Sequence, residues 1–248
     1  MPVFEPTGDQ SMQFHALEGG AFQFSGVRPE DLGAAEYTLV TIVTDTTGSV
    51  AGFETTLRNA VIDAVRACEK SPRADNLLVR LVTFNTSVNE VHGFKTLRQI
   101  DPQKDYQPFR CDGATALYDA AKEAIGATDA YAKVLTDNDF DVNGIIFILT
   151  DGADNQSKCN RTDIATAIRN VKRNEYLESL IVILIGVNAA GCAQWLDEFH
   201  QEAGLSQYVD ISAFDAAKGA KLAEFISKST AAQSQSLGTG GPSDILKF

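Results

Sequence analysis

The sequence predicts an α/β domain with a doubly wound, mainly parallel six-stranded sheet, one antiparallel edge strand and helices on both faces. Long apolar runs at 37–45, 144–150 and 180–187 are typical of parallel strands that are covered on both faces. Between these runs, apolar residues recur at intervals of three and four, as on the inward face of a helix. The 248 residues are enough for one large core and would be cramped as two domains.

Residues 1–36 are predicted to be an N-terminal extension of this domain. Two short alternating runs, 12–16 and 21–24, flank Glu18–Gly19–Gly20. This pattern indicates a β-hairpin, because glycine permits the positive φ that a tight turn needs. The apolar face of the hairpin must cover either the edge of the main sheet or another protein.

Residues 37–228 form the predicted main domain. Its first strand, 37–45, precedes a helix at about 51–69, and the next two strands, 77–85 and 87–94, form an antiparallel pair at one side of the sheet. The later elements are a short helix after the loop 111–115, a strand at 144–150, a helix at 162–172, a strand at 180–187, a helix marked by 195–203, a strand at 208–211 and a helix marked by 222–226. Ligands of such sheets bind beyond the carboxyl ends of the strands.

Residues 229–248 are predicted to be a flexible C-terminal tail. Ser, Gln, Gly, Ala and Thr dominate 227–243, and a segment with so few large apolar residues is expected to be disordered. The last five residues, 244–248, are more apolar, so they either dock as a peptide or fray.

The composition excludes several classes of function. A formal net charge of −12 disfavours nucleic acid, whose binding depends on clustered Lys and Arg. The sequence has no run of about 18 apolar residues, which a membrane span would need. Its first 20 residues also lack the basic start of a secretory signal. We therefore expect a cytoplasmic protein. The four cysteines form no C-x-x-C pair and are expected to be reduced thiols.

Three segments carry the oxygen ligands of a predicted metal site. The first strand ends in Asp45-x-Thr47-x-Ser49, Thr115 follows in a Gly-Ala-Thr loop, and Asp151 ends a second buried strand. Hydroxyl and carboxylate oxygens are hard ligands that suit a small divalent cation. We expect Asp45 to face solvent, and we interpret Asp112, Asp154 and Asn155 as caps or a rim of the site.

These motifs, in this order, resemble the von Willebrand factor type A (vWA) family, which binds a cation at a metal ion-dependent adhesion site (MIDAS) read as D-x-S-x-S, a separate Thr and a later Asp. The resemblance covers roughly residues 37–228 and departs at Thr47, where the family usually has Ser. It implies a Rossmann-like sheet with its first and fourth strands adjacent at the centre. It also implies that Thr47 and Ser49 ligate the metal directly, Thr115 directly or through water, and Asp45 and Asp151 directly or through its waters.

The resemblance implies a protein-interaction module without enzymatic activity. Mg²⁺ is the expected ion, with Mn²⁺ as a substitute, and an Asp or Glu of a partner protein would complete its coordination. One alternative is a structural subunit that assembles through the N-terminal hairpin and the C-terminal tail. The other is a Mg²⁺-dependent phosphatase of the haloacid dehalogenase type. These enzymes resemble D-x-D-x-T, and Thr47 stands where the second acid would act as general acid and base.

Overall fold

The computed structural model describes residues 11–17, 22–241 and 243–248. Its strands are β1 Met12–Ala16, β2 Gln23–Val27, β3 Glu36–Asp45, β4 Leu77–Phe84, β5 Val88–Thr96, β6 Asp141–Thr150, β7 Leu180–Val187 and β8 Gln207–Ile211. Its helices are α1 Glu54–Glu69, α2 Pro102–Asp105, α3 Leu117–Thr136, α4 Arg161–Asn174, α5 Ala193–Ala203 and α6 Ala216–Thr239. None of the helices in these described ranges is long and apolar enough to cross a bilayer.

The described strands form one sheet in the order β1-β2-β5-β4-β3-β6-β7-β8. Strands β4, β3, β6, β7 and β8 run parallel, and β5 pairs antiparallel with β4. The predicted α/β architecture and the central pairing of β3 with β6 are confirmed. The predicted count of six strands is wrong, because β2 pairs with β5 and β1 pairs with β2, so that β5 is an inner strand and the sheet has eight strands.

The N-terminal hairpin therefore covers the edge of the main sheet. Phe24 and Val27 of β2 are 0% and 1% exposed, and Phe24 belongs to the core on one face of the sheet. The turn predicted at Glu18–Gly20 and the first ten residues lie outside the described residues. The second half of the hairpin belongs to the core, although it precedes residue 37.

A buried ion cluster joins the hairpin to the rest of the domain. Arg80 of β4 donates hydrogen bonds to both carboxylate oxygens of Glu123 on α3, at 3.0 and 2.6 Å, and to Glu90 of β5 at 2.7 Å. Glu90 also accepts hydrogen bonds from the backbone N–H and the hydroxyl of Ser25 on β2, at 2.9 and 2.7 Å. Four elements thus meet at one guanidinium group that is 1% exposed.

The sheet separates two apolar cores. Alternate residues of β3 point to opposite faces, so Leu39 and Val43 pack with α3, α4 and α5, while Val40 and Ile42 pack with α1 and α6. Burial of β3 on both faces explains why its sequence is an almost unbroken apolar run that ends at Asp45. All four cysteines are free thiols, as expected.

The predicted disorder at 227–243 is wrong up to Thr239, where helix α6 ends. The side chains of Thr230, Gln233 and Ser234 are fully buried, although they are polar. Gln233 accepts a hydrogen bond from Asn143 of β6 at its carbonyl (2.7 Å) and donates one to the carbonyl of Gly144 (3.2 Å). Composition suggested disorder because these residues are polar, but Gln233 bonds to the sheet and the Ser234 hydroxyl accepts a hydrogen bond of 3.1 Å from Arg73.

Residues 243–248 follow α6 without forming a helix or strand. The carbonyl of Leu246 accepts a hydrogen bond of 3.0 Å from the side chain of Gln207 on β8. The ring of Phe248 lies 5.5 Å from the ring of Phe225 on α6. Of the two alternatives for this segment, the contacts match docking, and the docking surface belongs to the same chain.

Candidate metal site

The first motif lies at the end of β3, where a short 3₁₀ helix, Gly48–Gly52, connects the strand to α1. Asp45 is fully buried, so the expectation that it faces solvent is wrong. One of its carboxylate oxygens accepts a hydrogen bond from the backbone N–H of Thr47 at 2.8 Å, and the other accepts one from the hydroxyl of Thr150 at 2.6 Å. The carboxylate is therefore held in one orientation from both sides.

Ser49 connects the first motif to Asp151. The hydroxyl oxygens of Thr47 and Ser49 are 3.1 Å apart, and the Ser49 hydroxyl donates a hydrogen bond of 2.8 Å to Asp151. The adjacency of β3 and β6 places Asp45 and Asp151 at neighbouring strand ends. The structure thus brings four of the five predicted site residues together.

Thr115, the fifth residue, lies in the loop before α3. Its backbone N–H donates to the side chain of Asn155 at 2.8 Å, and its carbonyl accepts from the N–H groups of Asn155 and Gln156. A Cβ atom built on Gly152, the residue after Asp151, would lie 3.8 Å from the Thr115 hydroxyl oxygen. The Thr115 hydroxyl therefore lies beside the loop that carries Asp151.

The residues interpreted as caps or rim have those roles. Asp154 accepts hydrogen bonds from the N–H of Tyr118 in the first turn of α3 (3.3 Å) and from the hydroxyl of Ser157 (2.5 Å). Asp112 accepts from the side chain of Asn85 at 2.9 Å and pairs with Arg110. Asn155 goes beyond a cap, because it fixes the loop that carries Thr115.

Thr150 contacts the candidate site through its hydrogen bond to Asp45, and the sequence reasoning missed it. The register of the two central strands pairs Thr44 with Leu149, so Thr150 lies level with Asp45. A hydroxyl directly before Asp151 was the available signal. The contact between Thr150 and Asp45 could have been predicted from the expected parallel pairing of two strands that both end in an acid.

The carboxylates of Asp45 and Asp151 lie in the same site, and no Lys, Arg or His of the described residues pairs with either of them. Burial raises the pKa of Asp45, and the negative charge of Asp151 raises it further, while hydrogen bonds from Thr150 and Thr47 oppose the shift. Burial also raises the pKa of Asp151, against the hydrogen bond from Ser49. The ion pairs of the described residues include neither acid. A bound cation would favour the ionised form of both groups.

The donor set fits a hard cation that keeps water ligands. Within the part of the chain that the structure describes, no three His, Cys, Asp or Glu side chains come together as a metal-binding group. A cation at this place would therefore depend on the hydroxyls of Thr47, Ser49 and Thr115 in addition to two carboxylates. Mg²⁺ commonly binds through one or two carboxylates and retains several waters.

Comparisons with known proteins show the fold. No protein-family model matches the chain, and no curated protein sequence matches it. The PilB minor pilin from Streptococcus sanguinis aligns with a TM-score of 0.57 at 18% identity, over 85% of this chain and 64% of that one. The pilus adhesin SpaC from Lactobacillus rhamnosus GG, in an open conformation, has a TM-score of 0.58 at 11% identity, over 92% of this chain and 35% of that one.

A third similar structure is that of proximal thread matrix protein 1 (PTMP1) from the mussel byssus, described with a zinc-occupied MIDAS motif. It has a TM-score of 0.54 at 19% identity, over 79% of this chain and 46% of that one. The chain spans less than two thirds of the length of each of these proteins. These likenesses support the α/β fold with its mostly parallel sheet.

Proposed function

We propose that the chain is a metal-dependent protein-interaction module of the vWA type. Asp45, Thr47, Ser49, Thr115 and Asp151 would hold Mg²⁺, or Mn²⁺ in its place, and an Asp or Glu of a partner protein would complete the coordination of the ion. When bound, the cation would supply an electrophilic centre for that carboxylate. Where Asp45 or Asp151 binds through water, neutral hydroxyl and water oxygens fill most of the coordination shell of the ion, and this favours an anionic partner group.

The observation that carries the proposal is a pair of acids, Asp45 and Asp151, that form no ion pair with a Lys, Arg or His among the described residues. Asp45 is buried and Asp151 is half-buried, and both burial and the negative charge of Asp151 make ionisation of Asp45 less favourable. Folding such a pair is unfavourable unless a positive charge compensates them. The hydroxyls that surround the pair are ligands for a metal ion, and they could not neutralise the charge by themselves.

The residues around the metal ligands have positioning roles in this proposal. Thr150 and the Thr47 N–H orient the Asp45 carboxylate, and Asn155 orients the Thr115 loop. Such orienting groups reduce the rearrangement that ligand binding requires.

Calorimetric titration with Mg²⁺ tests the metal site. We expect saturable binding by the wild-type protein and at least about tenfold weaker binding by Asp151→Asn, because a ligand is lost. Asp112→Asn is the matched control, since it makes the same substitution at the rim and leaves all five proposed ligands in place. Equal Mg²⁺ affinity in Asp151→Asn and the wild type would contradict the assignment.

The similar structures are those of a pilin, a pilus adhesin and a matrix protein, which favours an interaction or structural role over a catalytic one. The phosphatase alternative still lacks a second acid, because Thr47 occupies that position. The assembly alternative rested on a hairpin and a tail outside the core, but Phe24 and Leu237 are both buried in the domain. Free thiols at all four cysteines are consistent with the proposed cytoplasmic location.

A further inference from the structure

A groove of about 580 Å³ lies beside the metal site. Residues 83–91 of the β4–β5 hairpin and residues 105–112 line this groove together with Thr46. We propose that this flanking groove holds the partner chain next to its metal-bound acid, and that the groove selects a basic residue there. The inference rests on the proposed function and specifies the partner of the same site.

The flanking groove adjoins the turn formed by residues 45–49, which carries three of the proposed metal ligands. Thr46 lines the groove and stands between Asp45 and Thr47. Its carbonyl accepts a hydrogen bond of 3.1 Å from the N–H of Asp112, and its hydroxyl donates one of 3.0 Å to the carbonyl of Phe84. A peptide whose carboxylate reaches the metal therefore has the groove directly beside it.

The groove is lined mainly by short neutral side chains that can both donate and accept hydrogen bonds. They include Thr83, Ser87, Asn89 and Gln107. Such groups match the alternating N–H and C=O groups of an extended peptide. Phe109 is the one aromatic residue among the described lining residues, and it is half-buried, so the groove lacks an exposed ring on which a sugar could stack.

The charges in the groove favour a basic partner residue. The lining contains two acids, Asp105 and Asp112, and one base, Arg110. Arg110 pairs with Asp112 at 2.9 Å, which leaves the charge of Asp105. The Asp105 carboxylate accepts a backbone N–H from Asp101 at 2.9 Å and takes part in none of the ion pairs of the described residues. In a chain with a net charge of −12, a Lys or Arg of the partner is the complementary group.

A peptide selection tests this inference. The full chain would be panned in Mg²⁺ against random nonapeptides with a fixed central Asp or Glu, and bound peptides would be eluted with EDTA. We expect Lys or Arg to be enriched at one fixed distance from the central acid. Asp105→Asn should remove this enrichment and weaken binding of the selected peptide about fivefold or more, as expected for loss of a close charge pair.

Two further variants complete the test. Asn89→Trp should fill the groove and weaken peptide binding at least about tenfold without changing Mg²⁺ affinity. Asp63→Asn, an exposed acid on α1, makes the same charge change outside the groove and should leave peptide binding unchanged. Comparison of Asp105→Asn with Asp63→Asn thus separates a local charge contact from a general effect of net charge.

The outcomes separate this inference from the proposed function. If the wild type fails to bind Mg²⁺ in the calorimeter, the proposed function fails. If Mg²⁺ binds but the eluted peptides show no positional preference for a base, or Asn89→Trp binds them normally, the flanking groove is overturned alone. Binding of neutral oligosaccharides that Asn89→Trp abolishes would also overturn it.

Discussion

Thr47 is the residue at which the motif departs from the vWA pattern. Its hydroxyl oxygen lies 3.1 Å from that of Ser49, so the oxygen is directed toward the other proposed ligands. The side chain is 2% exposed, so its methyl group is packed inside the protein and does not occupy the solvent side of the site. The departure therefore keeps the ligand atom and adds a buried apolar contact.

Two substitutions of Thr47 separate its hydroxyl from its methyl group. Thr47→Ser should keep Mg²⁺ affinity within about twofold and lower stability by about 1 kcal/mol, because it removes one buried methyl group. Thr47→Val keeps the shape and removes the oxygen, so it should weaken Mg²⁺ binding at least about tenfold. Calorimetry with thermal unfolding measures both quantities, and normal Mg²⁺ affinity in Thr47→Val would exclude the hydroxyl as a ligand.

At the scale of elements, the N-terminal hairpin depends on Arg80. The guanidinium lies 5.9 Å from the ring centroid of Phe24 and binds Glu90, which in turn binds Ser25. Three charged side chains in a buried cluster stabilise the fold only while every partner is present. Residues 23–27 are therefore integral to the domain, and deletion of residues 1–30 should unfold it.

Removal of Arg80 tests this arrangement. Arg80→Met should lower the free energy of unfolding by about 3–5 kcal/mol, because it leaves Glu90 and Glu123 buried without a cation. Arg98→Met is the control, since Arg98 pairs with Asp75 on the surface and should contribute less than about 1 kcal/mol. Urea unfolding of the three proteins gives the comparison, and similar losses in both variants would show that the buried cluster is unimportant.

At the scale of the whole molecule, the sequence predicted those elements whose burial is evident from the pattern of their apolar residues. The central sheet was predicted from the apolar runs of β3, β6 and β7. The candidate site was predicted from the acids that follow two of these runs, Asp45 at the end of β3 and Asp151 after β6. The long-range polar contacts were not predictable. Ser25 meets Glu90 across 65 residues, and Gln233 meets Gly144 across 89. Composition and periodicity carry no information about such partners.

The stability of the whole domain should fall in acid because of His92. Burial lowers the pKa of this group to about 4, with Lys95 and Arg80 acting in the same direction and the Gly93 carbonyl and Asp105 opposing. Its ordinary value is 6.5, so the folded state binds the proton more weakly than the unfolded state. The contribution of neutral His92 is complete above pH 6.5 and is lost as the pH falls toward 4.

Over that interval His92 should account for a loss of about 3 kcal/mol. Urea unfolding from pH 7 to pH 4 should show a shallower pH dependence in His92→Gln than in the wild type. His200→Gln, which makes the same substitution at a half-buried histidine of α5, provides the control. The same slope in all three proteins would assign the acid sensitivity to other groups.

The order of the strands also determines how the domain would carry mechanical load. Residues 12–16 form one edge of the sheet, and residues 243–248 contact β8 at the other edge. Tension between these two segments is transmitted across every strand of the sheet, including β3 and β6 at its middle. The proposed metal ligands Asp45 and Asp151 lie at the ends of these two strands. A pull along the chain and a pull by a partner bound at the proposed metal would therefore act on the same two central strands.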